Sequence, residues 1–250
     1  GGPVGPPHLP AHAHNDLLQV LLWIDGHPIV TDTGVFEYAP GPRRQYARSV
    51  SAHNTVQVDD VEPIHLGGRF LMGARTAPET RRDTSTDVDL FEGVYEGKPY
   101  RRPDYRHHRT IYAGRWWWLV WDVVAAGEPA TVRSRLHLDP SVSATTGQSG
   151  PIELAVGDGS TTVWVTPLEA TATLTEGEYH PRFGESLSRG VLELHSQTNA
   201  DGRTALGFVV APRRVDSVAV EGMTAGDIPS ELRHDGTARS LPRPALLPER

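Results

Sequence analysis

Apolar and polar positions fall into short runs along almost the whole chain. "LLQVLLWI", "HPIVTD", "NTVQVDD", "RWWWLVWDVV", "TVRSRLHL", "TTVWVTP", "TATLTE", "GVLELHS" and "TALGFVVAP" are rich in Val, Leu, Thr and Trp, and Gly or Pro punctuates the gaps between them. No long segment carries apolar residues at helical spacing. With turn signals roughly every 8 to 12 residues, this pattern predicts an all-β fold: a large antiparallel β-sandwich, supersandwich-like, of a dozen or more strands. "WIDGHPIV" predicts a hairpin, because Asp25-Gly26 suits a two-residue type I′ turn between apolar runs. Two stretches interrupt the pattern. "TAPETRRDTSTD" (76–87) reads as a polar loop and "ARSLPRPALLPER" (238–250) as a Pro-rich disordered tail. With no internal repeat or linker, residues 1–237 are expected to form one domain.

Composition narrows the role. A net charge of −7 argues against nucleic acid or an anionic membrane as the partner, while leaving room for a local basic patch that grips an acidic ligand. No stretch approaches the ~18 apolar residues of a membrane-spanning helix. The absence of cysteine leaves His, Asp and Glu as the strong metal ligands. The chain starts at Gly1 rather than Met, so it is expected to be a processed product or a piece of a longer protein.

The histidines then draw attention. In "HLPAHAHNDLLQV", His12 and His14 stand at i and i+2, which on an extended chain places both rings on one face, roughly 7 Å apart. Asp32 ends the second strand of the predicted hairpin, and His53 opens a further strand. Two imidazoles and a carboxylate would make a zinc set of borderline ligands; a polar lead-in to a strand is the plain alternative. There is a geometric obstacle. A two-residue turn pairs Asp32 with Gln19 and leaves His14 about 17 Å away in extended chain, so the segment before Leu17 must fold back. Arg43, Arg44 and Arg48 in "RRQYAR" could hold carboxylates through guanidinium forks. "RRPDYRHHR" (101–109) reads as a solvated strand edge, and Trp116, Trp117, Trp118 and Trp121 as core.

In order along the chain, His-Ala-His-x-Asp, Asp-x-Gly after a hairpin, Tyr-x-Arg-Ser and Ala-His-Asn-Thr-Val resemble the start of the β-sandwich domain of heparinase II/III-like polysaccharide lyases, a group that includes alginate lyases. "YRHHRTIY", "RWWWLVWDVV" with "RLHLDP", and "YHPRFGESLSRGVLEL" extend the likeness over roughly residues 8 to 215. The resemblance implies one mainly structural zinc ion on His14, Asp32 and His53. It also implies a cleft histidine at His12 and a cleft tyrosine at Tyr46. Such enzymes cut uronic-acid polysaccharides by β-elimination, and an N-terminal α/α-toroid domain supplies much of the sugar groove. The partners implied are an acidic polysaccharide or oligosaccharide and the chain's own N-terminal toroid domain; a homodimer is compatible, and the usual setting is periplasmic or secreted. As an isolated chain the domain is expected to bind zinc and to cleave poorly or not at all.

Two other classes compete. One is a metallohydrolase, since "HAHND" satisfies His-x-His-x-Asp; it would use Asp16, whereas the lyase-type sandwich would use Asp32. The other is a non-catalytic carbohydrate-binding or structural module with a stabilising zinc.

Overall fold

The computed structural model describes residues 4–6, 8, 10–68, 70–75, 77–85, 87–146, 150–157, 159–215, 217–219, 228–234 and 237–246. In chain order the elements are β1 (Leu22–Ile24), β2 (His27–Val30), α1 (Pro42–Arg48), a 3-10 turn (Val50–Ala52), β3 (Val56–Val58), β4 (Leu66–Gly67), β5 (Leu71–Met72), β6 (Glu79–Asp83), β7 (Asp89–Gly97) and β8 (Tyr105–Ala113). They continue with β9 (Trp118–Ala126), β10 (Thr131–His137), β11 (Val142–Thr145), β12 (Ile152–Val156), β13 (Thr162–Leu168), β14 (Thr171–Tyr179), β15 (Leu187–Gln197), β16 (Arg203–Ala211), β17 (Ser217–Ala219), β18 (Glu231–His234) and β19 (Thr237–Ser240).

Two antiparallel sheets make the sandwich. One has eight strands in the order β11-β12-β13-β16-β9-β8-β7-β6, the other four in the order β14-β15-β10-β3. Alternate residues of each strand point inward, as period-two geometry requires. Val132, Leu136, Leu192 and Leu194 from the smaller sheet thus meet Val120, Val124, Val163, Val165, Leu206 and Phe208 from the larger in one core. Each such side chain stabilises the fold by about 1.5–3 kcal/mol when buried.

The larger sheet is covered on its outer face too. Leu90, Tyr112, Leu119, Val209 and Ala211 pack there with Trp117, Val215 and Leu232. A strand buried on both faces needs apolar residues at successive positions, which explains the unbroken run around β9. Trp117 and Trp121 are core, as expected, but Trp116 reaches the surface. Part of the outer cover comes from the stretch expected to be a disordered tail. Residues 237–240 form β19, Leu246 N donates to Glu92 Oε1 at 3.1 Å, and residues 247–250 lie outside the described residues. The expected polar loop likewise contains β6, which pairs with β7 at the sheet edge.

The Asp25-Gly26 hairpin forms as predicted, with φ of 51° and 82° at the two turn residues and Ile24 opposite His27. Its first strand is shorter than the apolar run "LLQVLLWI". Leu18 takes φ 57°, Gln19 N donates to Asp16 O at 3.1 Å, and Val20 N turns to Asn54 O at 3.1 Å. This turn is the fold-back that the His14–Asp32 spacing demanded.

The interior also holds an ionic group. Arg109 donates through Nε and Nη2 to both oxygens of Asp122 (2.7 and 2.8 Å), and His107 Nε2 lies 2.7 Å from Asp122 Oδ1. Through Nη1 the same guanidinium donates to Leu18 O and Asn54 O at 2.8 and 2.9 Å. The larger sheet thereby holds both the fold-back and the residue next to His53. "RRPDYRHHR" is not a uniform solvated edge: Arg101 and Arg102 are exposed, while His107, His108 and Arg109 are buried.

Candidate functional site

Helix α1 was not expected from the sequence, and it builds the site. Its seven residues are too few for an apolar stripe; the visible signals are Pro42 in the first turn and Arg48 in the last. Residues three and four apart share a helix face, so Arg44, Ala47 and Arg48 are buried together. Arg44 Nη2 donates to Ala11 O at 2.7 Å. Arg48 donates to Ala13 O (3.2 Å), Gly68 O (2.5 Å) and Leu71 O (2.9 Å), and its own carbonyl accepts Asn15 N at 2.9 Å. Arg48 therefore grips its own chain rather than a substrate carboxylate, contrary to the sequence reading, because three carbonyls saturate a buried fork. Arg44 is likewise turned inward, through Nη2 to Ala11 O, with its guanidinium 4.8 Å from the Tyr38 ring centroid. Of the three arginines only Arg43 is exposed, over the Phe36 ring and 3.5 Å from Glu178.

With the carbonyls of residues 11 and 13 held, His12 and His14 part company. His14 turns to His53, ring centroids 5.2 Å apart and tilted by 35°. His53 is 1% exposed, and its Nδ1 lies 2.7 Å from Asp32 Oδ2. The other oxygen, Oδ1, accepts Gly34 N at 2.8 Å. Gly34 has φ +78°, and a Cβ there would collide with the carbonyl of His180, so only glycine closes this turn. Burial resists ionisation of Asp32, but the hydrogen bond and charge of His53 overcome it and hold the carboxyl well below its usual range. His14 is driven down to about 3, first by burial and then by the charge of His53, so its ring is neutral at physiological pH.

These residues fit a zinc ion by donor chemistry. His53 Nδ1 and Asp32 Oδ2 face each other at 2.7 Å beside the His14 ring, so an imidazole nitrogen and a carboxylate oxygen, both able to bind zinc in place of the proton they share, meet next to a second imidazole. The other ring nitrogen of His53, Nε2, is buried with no hydrogen-bond partner, and His14 is neutral. The cage itself is not closed: among the described residues no group of three His, Asp or Glu is arranged to hold an ion. Asp16 makes no bond to either ring; its carboxyl is pushed up by burial.

His12 faces outward. Its Nδ1 lies 2.9 Å from Tyr38 Oη, the two rings edge-on at 5.1 Å, and Tyr38 in turn contacts Phe183 at 4.9 Å. Tyr46, the tyrosine singled out from sequence, sits elsewhere. It is half-buried, its hydroxyl pushed up by burial and tempered by a hydrogen bond with Thr33 and the charge of Arg189. Arg189 is buried and donates to Thr31 Oγ1 (3.0 Å), Asp32 O (3.2 Å) and Thr33 Oγ1 (3.2 Å), clamping the Asp32 turn from behind. Sequence reasoning missed Tyr38, Arg189 and His137. His137 packs on Asn54, whose Oδ1 lies 3.0 Å from its Nδ1, while its buried Nε2 lacks a partner.

Comparison with known proteins bears on the family and the fold. Residues 1–213 match the family described as heparinase II/III-like, C-terminal. An alginate lyase of Stenotrophomonas maltophilia (strain K279a) is 29% identical over 106 residues, 36% of this chain and 14% of that protein. Among solved structures, the heparan sulfate lyase HepC from Pedobacter heparinus superposes with a TM-score of 0.70 at 16% identity, over 92% of this chain and 37% of that one. A heparinase III with methylated lysines gives 0.72 at 14% identity, over 95% and 37%. The chain thus spans little more than a third of the length of these lyases. The strand-dominated architecture, with one seven-residue α-helix among the described residues, lacks the interleaved helices that the metallohydrolase alternative needed. By its sequence match and its β-sandwich, this chain belongs to the heparinase II/III-like C-terminal family.

Proposed function

We propose that this chain is the zinc-binding β-sandwich domain of a lyase that cleaves uronic-acid polysaccharide by β-elimination, with His12 and Tyr38 facing the sugar. The observation that carries this reading is the outward His12–Tyr38 pair, hydrogen-bonded at 2.9 Å and mounted two residues from His14. In β-elimination a base removes the proton α to the uronate carboxyl group. The carboxylate must be neutralised as charge builds, and the glycosidic oxygen leaves the neighbouring carbon. A coupled imidazole and phenol can exchange one proton between Nδ1 and Oη, which lets one group accept while the other donates. Tyr46 is set aside from this pair. Its contacts with Thr33 and Arg189 suit support of the Asp32 turn.

His14, Asp32 and His53 are the proposed holders of the ion. When bound, zinc would supply a fixed cross-link between the His12 segment, the hairpin and the 3-10 turn. The residues themselves then do the positioning: Arg48 and Arg44 hold the backbone on either side of His12, and Arg189 holds the Asp32 turn. The remaining sugar contacts and the principal catalytic groups are proposed to come from an N-terminal toroid domain, and a periplasmic or secreted setting follows from the family alone.

The test is to express the domain joined to its N-terminal partner and follow unsaturated uronate released from alginate and heparan sulfate. Release by the joined protein supports the reading. Cleavage without a double bond, or none with either polymer, contradicts it.

A further inference from the structure

We propose that the turn between β7 and β8, with His65 beside it, is a second contact surface for the acidic polysaccharide, separate from the His12–Tyr38 cleft. This rests on the polysaccharide reading above and adds a site to it. The turn "KPYRR" carries Lys98, Tyr100, Arg101 and Arg102, all exposed, and Tyr100 is 60% exposed despite its size. Its ring is flanked rather than buried: the His65 ring lies 4.8 Å away on one side, and the Arg101 guanidinium carbon 5.0 Å from its centroid. An exposed tyrosine with a guanidinium and an imidazole resting against its ring presents its hydroxyl together with cationic donors, which suits a sugar ring bearing a carboxylate.

The charges point the same way. Among the described residues, Lys98, Arg101 and Arg102 form no ion pair, although the chain as a whole carries a net charge of −7. By contrast the exposed arginines near the cleft are already matched, Arg43 to Glu178 and Arg182 to Glu185. Unpaired exposed cations concentrated on an acidic protein have local attraction for a polyanion that neutral or like-charged polymers lack.

The surface is also fixed relative to the cleft. Lys98 N donates to Pro63 O at 2.8 Å, and Ile64 pairs with Lys98 in a parallel bridge. Asn15 Nδ2, next to His14, donates to Ile64 O at 2.9 Å. Arg48 spans Ala13 O and Leu71 O with a single guanidinium. The segment that carries the turn is thus bonded to the segment that carries His12.

The experiment is calorimetric titration of this chain with a polyuronate of about ten sugars, a uronate disaccharide and a neutral β-glucan of the same length as the decamer. The variants are K98Q/R101Q/R102Q, Y100A, and a charge-matched control R82Q/R115Q/R203Q taken from exposed positions elsewhere. The expected result is decamer binding weakened about tenfold by the triple turn variant and about threefold by Y100A. The control variant, the disaccharide and the glucan should show no such dependence, and added salt should weaken the wild type more than the triple turn variant. Equal binding by wild type and the triple turn variant, an equal loss in the control, or no decamer binding at all would overturn the proposal. Formation of unsaturated uronate by the joined protein reports on the lyase reading independently.

Discussion

Tyr38 and His12 can be separated from the proposed metal holders by substitution, because their hydrogen bond lies outside the His14–His53–Asp32 group. In the joined protein, Tyr38→Phe should lower turnover by about a hundredfold to ten-thousandfold, the contribution of one positioned proton donor or acceptor, with unchanged metal content and thermal stability. A normal rate in this variant would leave His12 without its partner in the chemistry. For the metal, inductively coupled plasma analysis of the purified chain should find close to one zinc per molecule. His53→Ala should remove most of it and His12→Ala little. An equal loss from both would refute the division of roles between the two faces. His14, Asp32 and His53 could be picked out of the sequence by motif, but the distinction between Tyr38 and Tyr46 could not. It depends on a loop between residues 35 and 41 that brings a phenol back across 26 positions to His12.

At the scale of elements, the short helix α1 decides what its arginines do. In "RRQYAR" all three look equally able to meet a carboxylate, and only the i, i+4 relation of a helix reveals that Arg44 and Arg48 share the buried face. The seven residues were not legible as a helix because so short a segment has no period to detect. The hairpin, in contrast, was legible down to its turn residues, since Asp25 and Gly26 both need positive φ and few other pairs tolerate it. Arg48→Met should cost about 3 kcal/mol or more, because it orphans buried carbonyls and loosens both the His12 segment and the loop at Leu71. Chemical denaturation would show it as a lower midpoint, and a cost below about 0.5 kcal/mol would mean that water replaces those bonds freely. Gly34→Ala should destabilise by a similar amount, through its φ of +78° and the His180 carbonyl.

Across the whole molecule, both faces of the eight-stranded sheet are covered, and histidines lie buried in both sheets, His107 and His108 on β8 and His137 on β10. His107 and His137 are shifted down primarily by burial, and His108 is brought to about 4 by burial and then by the charge of His107. A histidine whose folded pKa lies below its unfolded value of 6.5 binds more protons when unfolded. Its neutral form therefore contributes stability that is intact above pH 6.5 and declines as pH falls toward the folded pKa. Asp122, held well below its usual range by Arg109 and His107 against the opposing effect of burial, has the same sign: its contribution fades as pH falls further. The melting temperature should thus drop steadily from pH 6.5 to about 4. A flat profile over that interval would mean these histidines are solvated.

The sandwich class was legible because strand periodicity and turn spacing repeat throughout the chain. The cover on the outer face was not, since "ARSLPRPALLPER" carries no periodicity, and residues 238–246 are placed by pairing of β19 with β18 and by contacts with a sheet formed elsewhere in the sequence. The charged run at 101–109 was misread for the same reason: a turn and a buried strand meet within it.

The most direct measurement is the chemistry of the cut. The domain joined to its N-terminal partner is given an acidic polysaccharide, and the ultraviolet absorbance of unsaturated uronate is followed for the wild type and His12→Ala. Unsaturated product from the wild type, with a strongly reduced rate in a folded, zinc-loaded His12→Ala variant, is the predicted result. Product formed at an unchanged rate by His12→Ala, or cleavage with no unsaturated end, would contradict it.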